Sequence, residues 1–116
     1  MRFNVSAPAD QDIEEIFLYW AARASPAIAD RIIDTITERF SFLAQYPLAG
    51  SRMDNLARGT RCLPVGKYLI YYRIGRRTLD IIHIFHGARN QERAFRNAKR
   101  AVSKTHSRRP VPEDQP

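Results

Sequence analysis

A chain of 116 residues, 44% of them hydrophobic, is the size of one domain and can bury roughly two-thirds of the surface its unfolded form exposes, so neither a metal nor a disulfide is needed for folding. The formal charge of +7 is unevenly divided: five Lys/Arg stand against eight Asp/Glu over residues 1–57, and fourteen against four over residues 58–116, which calls for an acidic counterpart to the second half. The one cysteine, Cys62, has no partner in the chain, no run approaches the roughly 18 to 20 apolar residues of a membrane span, and the N-terminus lacks a signal-peptide pattern, so a cytoplasmic protein is expected.

Residues 2–6 alternate, with Phe3 and Val5 on one face, and predict a first strand. Pro8 suits the first turn of a helix, and Asp10, Asp12, Glu14 and Glu15 complement the positive end of its dipole. Ile13, Ile16, Phe17 and Trp20 then follow i, i+3, i+4, i+7, giving a helix to about Ala24 with one apolar stripe. Ser25 and Pro26 read as the cap and first position of a second helix, with Ala29, Ile32, Ile33, Ile36, Phe40 and Leu43 as its stripe and an end near Gln45. So short a connection makes the two an antiparallel hairpin.

Residues 47–60, with Pro47, Gly50 and Gly59, predict a loop, after which the period becomes extended. Arg61–Val65 is a strand whose Pro64 favours an edge position. Tyr68–Ile74 follows across the Gly66–Lys67 turn. Leu79–His86 is the most apolar strand, with Leu79, Ile81 and Phe85 expected on one face and Ile82 and Ile84 on the other, as in a central strand. Residues 90–102 place Ala94, Phe95, Ala98, Ala101 and Val102 near helical spacing among Arg93, Arg96, Lys99 and Arg100, which predicts a basic helix. The last stretch, 103–116, has three prolines and one apolar residue and is expected to be a disordered tail, leaving a single domain over 1–102.

Few residue patterns here carry chemistry. His83 and His86 stand three apart on a strand, so their side chains point to opposite faces and cannot share a metal without a bulge between them; hydrogen-bonded structural histidines are the favoured reading, with no metal and no cofactor expected. Tyr68, Tyr71 and Tyr72 sit among basic residues and could stack on RNA bases, although aromatics on strands more often cover the core, which is the reading preferred for Tyr71 and Tyr72. Arg58, Arg61, Lys67, Arg73, Arg76 and Arg77 crowd a stretch with no acidic residue between 55 and 79, and Arg89 follows the last strand. Such groups can stabilise a phosphate transition state, dock an acidic partner, or form a solvated face, and docking is preferred. Phosphate loops, zinc-ligand pairs and serine elbows are absent, and no catalytic residue is assigned.

Several motifs in order resemble the RelE/ParE toxins, and most closely the ParE branch. They are SAPADQDIEEIFLYW at 6–20, SP at 25–26, YP with a following glycine at 46–50, GTRCLPVGKYLIYYRI at 59–74 and IIHIFHGARN at 81–90, so the resemblance covers about residues 2–90. It implies an α+β fold of order β-α-α-β-β-β, with the antiparallel helix hairpin packed on one face of a small antiparallel sheet. It also implies an acidic, ParD-like antitoxin whose extended, partly helical C-terminal segment wraps the toxin in a hetero-oligomeric complex. ParE-like toxins are understood to poison DNA gyrase without a reaction of their own, whereas RelE-like members cut mRNA in the ribosome. The second-strand lysines of the RelE-like nucleases fall near Thr60 and Cys62, their third-strand arginine on Leu69 and their tyrosine on Phe95, and only the C-terminal arginine is matched, at Arg89. Those departures favour gyrase inhibition over ribosome-dependent RNA cleavage, with an inactive, antitoxin-binding member as a third alternative. Asn90, where ParE members commonly carry aspartate, and the long basic end are departures from that branch too. Arg58, Arg61, Lys67, Arg73 and Arg89 are the candidate antitoxin or target contacts, with an apolar groove beside the helix hairpin as anchor.

Overall fold

A computed structural model describes residues 1–55 and 57–87, and those residues hold seven elements. They are β1 (Arg2–Val5), α1 (Ala7–Arg23), α2 (Pro26–Gln45), β2 (Ser51–Arg52), β3 (Thr60–Val65), β4 (Tyr68–Ile74) and β5 (Thr78–His86). The expected helix at 90–102, the expected tail at 103–116, and Arg89 lie outside the described residues.

Both helices begin where their caps dictate. Ser6 Oγ accepts the Ala9 N–H at 3.1 Å and Ser25 Oγ accepts the Ile28 N–H at 3.1 Å, each satisfying one of the orphan donors of a first turn. A proline stands in the first turn of each, where its missing N–H costs nothing. The stripes meet the sheet as their spacing requires: Ile16, Ile36, Phe40 and Leu43 are buried against Val65, Tyr68, Ile70, Tyr72, Leu79, Ile81 and Ile84. Trp20, half-buried, anchors α1 by donating its indole N–H to the Tyr68 hydroxyl at 2.7 Å.

The sheet differs from the expected antiparallel one in two ways. Its order is β1-β5-β4-β3-β2; the β3–β4–β5 meander is antiparallel as expected, but β1 lies parallel to β5, with Phe3 beside Leu79 and Val5 beside Ile81, so the sheet is mixed. The helix hairpin is long enough to carry the chain back for that parallel pairing. The second difference is β2, which pairs Ser51 with Cys62 and Arg52 with Arg61 inside the stretch expected to be a loop. Because β2 reaches only that far, Pro64 occupies the open part of β3, where a missing N–H breaks no ladder on the outer side.

A bulge also corrects the facial assignment of β5. Tyr72 pairs with Ile81 and Tyr71 with His83, so Ile82 is an extra residue and the alternation changes phase there. Leu79, Ile81 and Ile84 therefore all face the helices, while Phe85 lies on the far face with Tyr71. His83 stacks on Phe85 at 4.7 Å and His86 packs edge-on against Tyr68 at 5.3 Å, so the two histidines do take opposite faces, with the bulge before them rather than between.

Among the described residues no helix is long and apolar enough to cross a membrane, and no three His, Cys, Asp or Glu side chains gather closely enough to hold a metal ion.

Candidate functional site

Register turns the far face of the sheet into three rows that run across the strands. Asn4, Asp80, Arg73 and Thr60 form a polar row; His83, Tyr71 and Cys62 form the next; Phe85, Leu69 and Pro64 form an apolar one. In the middle rows Cys62 and Tyr71 are buried, flanked by Met53, Leu69 and Phe85. Burial pushes the Cys62 thiol up to about 11, against a hydrogen bond with Tyr71, so at neutral pH it is protonated and a poor nucleophile or base. Burial, first of all, raises the Tyr71 phenol as well.

Across the polar row, Asn4 Nδ2 approaches Asp80 Oδ1 at 3.5 Å, and the positive charge of Arg73 attracts the same carboxylate. Burial nevertheless dominates and raises the Asp80 pKa above its ordinary 3.8.

Basic residues collect where this row meets the loop before β3. Gly59, at φ 81°, lets the loop turn back so that its N–H donates to Asp54 Oδ1 at 3.0 Å, and Arg52 Nε donates to Asp54 Oδ2 at 3.0 Å. These bonds, the one from Gly59 foremost, hold the Asp54 carboxyl below its usual range. Arg73 lies over Gly59, its Nε 3.8 Å from where a Cβ would stand, and Arg58 is exposed on the neighbouring turn.

The five contact candidates are thus not equivalent. Arg58 and Arg73 share this arginine end. Arg61, three residues after Arg58, instead stands on the helix side of the sheet, where its Nη1 donates to the Gly50 carbonyl at 2.7 Å. It helps Tyr72 to pin the loop after α2: the Tyr72 hydroxyl donates to the Pro47 carbonyl at 2.7 Å and accepts the Gly50 N–H at 2.8 Å. Lys67 occupies the β3–β4 turn, about 17 Å along the strand from Thr60 at about 3.3 Å per residue. Beside the helix hairpin there is an open depression between β1 and the end of α2, lined by Met1, Phe3, Ser41 and Ala44.

One polar constellation was not legible from the chain. Asp12 Oδ2 accepts the Ile84 N–H at 2.9 Å and lies 2.8 Å from His83 Nδ1, at the edge of β5 beyond the end of β1. The carboxylate serves there as a substitute strand neighbour for a backbone donor that β1 is too short to meet. Sequence presented Asp12 as a helix-start charge, and nothing local signals a partner 71 residues away.

Comparison with known proteins places this geometry. The family described as ParE toxin of type II toxin-antitoxin system, parDE, matches residues 3–91. Toxin ParE1 of Caulobacter vibrioides (strain ATCC 19089 / CIP 103742 / CB 15) is 27% identical over 92 residues, spanning 76% of this chain and 91% of that protein. In fold, the chain is similar to a solved structure described as the chromosomal ParDE TA system from P. aeruginosa, with a TM-score of 0.67 at 19% identity over 74% of this chain and 95% of that one.

Proposed function

The chain belongs to the ParE toxin family of type II toxin-antitoxin systems, and from that premise we propose that it inhibits DNA gyrase without catalysing a reaction of its own and is silenced by direct contact with a cognate acidic, ParD-like antitoxin. The observation that carries the non-catalytic reading is the content of the far face. RNA cleavage through the 2'-hydroxyl needs groups that activate that oxygen, neutralise the phosphate and protonate the leaving oxygen. At or near the positions of the nuclease set on β3 and β4 stand a buried Thr60, a protonated Cys62, and Leu69 packed with Tyr71. None of these supplies a charge or a proton at neutral pH.

Antitoxin contact is assigned first to Arg58 and Arg73, whose guanidinium groups offer planar, charge-assisted donors to carboxylates. Arg61 has its own carbonyl acceptors, Lys67 would extend the contact toward the other end of β3 and β4, and Arg89 lies outside the described residues. The depression beside α2, with Met1 and Phe3 in its wall, offers apolar anchors for the same partner. The complex is hetero-oligomeric and cytoplasmic in this reading, with no cofactor and no membrane.

Gyrase supercoiling of relaxed plasmid is the direct test. Purified protein should block it and added antitoxin should restore it. Unaffected supercoiling at saturating protein overturns the target, and new mRNA ends inside translated codons after induction would replace it with ribosome-dependent cleavage.

A further inference from the structure

Strand order gathers at one end of the sheet arginines that are far apart in the chain. Thr60, where β3 begins, pairs with Arg73 near the end of β4. The β4–β5 turn, closed by the Gly75 N–H donating to the Thr78 carbonyl at 2.7 Å, carries Arg76 and Arg77 at that same end. Arg58 lies in the loop before β3, and Arg2 opens β1 beside Thr78. From β1 to β3 these arginines extend over three strand spacings, about 14 Å.

Their guanidinium groups are on offer. Arg2, Arg58, Arg76 and Arg77 are exposed and Arg73 is half-buried. Among the described residues, no carbonyl or carboxylate accepts a hydrogen bond from the side chain of any of them, whereas Arg52 is bonded to Asp54 and Arg61 to the Gly50 carbonyl. Asp54 is taken up by Arg52 and the Gly59 N–H, which leaves the row facing Asp80, the carboxylate that Arg73 attracts. Like charges repeated in a line at strand spacing suit a regular polyanion. Duplex DNA carries one negative charge per about 1.7 Å of axis, so about 14 Å of it presents roughly eight phosphates, each a planar match for a guanidinium. The sheet aromatics separate duplex from single strand. Single strands are held by exposed rings on which bases stack, but Tyr71 and Tyr72 are 0% exposed and Tyr68 is 8%.

We propose that the row formed by Arg2, Arg58, Arg73, Arg76 and Arg77 binds the phosphate backbone of duplex DNA. Phosphate contacts carry no sequence information, so duplexes of unrelated sequence bind alike. Arg58 and Arg73 are also the assigned antitoxin contacts, and an antitoxin seated there excludes DNA from the row. The inference goes beyond inhibition of gyrase and does not depend on it, since the test contains neither gyrase nor antitoxin.

Fluorescence anisotropy of a short labelled DNA duplex, titrated with the full chain over a range of salt concentrations, tests it. The affinity should fall with salt, the slope of log K against log salt being about 0.9 per phosphate contacted. Arg58→Gln with Arg76→Gln and Arg77→Gln should bind about tenfold weaker or more at low salt, with a slope shallower by about three. Arg23→Gln with Arg31→Gln and Arg39→Gln removes the same charge from exposed positions on the helix hairpin and should keep the parent's slope. No binding by the parent at low salt overturns the proposal. An unchanged slope in the first triple variant also overturns it, because the phosphates are then met elsewhere in the chain. Equal losses in both triple variants overturn it too, since binding then follows net charge alone. Tighter binding to a single strand of the same length overturns the assignment to duplex. If the first triple variant does not melt cooperatively, Arg76→Gln with Arg77→Gln decides by the same criteria, with a slope shallower by about two.

Discussion

Tyr72 is worth more as a hydrogen-bonding residue than as an aromatic one. Its hydroxyl fills the space over Gly50, where a Cβ would meet it at 2.6 Å, and satisfies both the Gly50 N–H and the Pro47 carbonyl. Tyr72→Phe keeps the ring in the core and strips both groups of their partner. The expected loss is about 2 kcal/mol, or a fall in melting temperature on the order of 10 °C, measured by thermal unfolding. Burial of the hydroxyl is also the main reason its pKa is raised. Asp80 gives a prediction of the opposite kind. Burial raises its folded-state pKa above the ordinary 3.8, so the folded form holds the proton more tightly than the unfolded form does. Its contribution to stability is therefore fully present below 3.8 and is lost as pH rises through the folded value. Asp80→Asn should melt closest to, or below, the parent in acid and gain on it by a few degrees, on the order of 1 to 5 °C, toward neutrality. A difference between the two melting temperatures that does not change with pH would mean that Arg73 and Asn4 fully offset the burial.

At the scale of elements, the two helix caps separate a local role from a tertiary one. Ser25 only caps α2, whereas Ser6 Oγ both accepts the Ala9 N–H and donates to the Ile82 carbonyl at 2.9 Å, tying the start of α1 to the bulge in β5. Ser25→Ala should cost about 1 kcal/mol and Ser6→Ala about twice that, compared by denaturant unfolding. Equal losses would show that the Ile82 contact contributes nothing net. The same contrast explains what the chain disclosed in advance. α2 was legible to the residue, because Ser25, Pro26 and a 3.6-residue stripe are local signals read over a long window. β2 was not, since a two-residue strand has no period to detect. The parallel placement of β1 depends on where a hairpin of 39 residues returns the chain, and the facial switch in β5 depends on Ile82 finding no partner in β4. Likewise in the candidate site, sequence marked Arg58 and Arg73 by charge density, but it could not distinguish them from Arg61. That difference is set by strand parity and by the carbonyls of a loop eleven residues earlier.

At the scale of the whole molecule, the described residues hold the arginine end and the apolar depression at separate places, and that separation allows docking to be tested without disturbing the fold. Arg58 stands in the loop before β3 and Arg73, on the central strand β4, reaches over Gly59 on the face of the sheet away from the helices, whereas the depression lies between β1 and the end of α2. An acidic partner held at both would be drawn to the first by long-range attraction and retained at the second by burial of apolar area. Arg58→Glu with Arg73→Glu should then weaken antitoxin binding by about tenfold or more at low salt, mostly through slower association. Raising ionic strength from about 0.05 to about 0.5 M, which shortens the screening length severalfold, should narrow the gap between variant and parent. Arg61→Glu should behave differently. By placing a carboxylate against the Gly50 and Leu48 carbonyls, it should lower the melting temperature, and with it any binding, at every salt concentration. Isothermal titration at two salt concentrations, with melting curves for each variant, discriminates the two behaviours. If the Arg58 and Arg73 double reversal binds like the parent at low salt, the arginine end is a solvated face and the partner's affinity resides elsewhere.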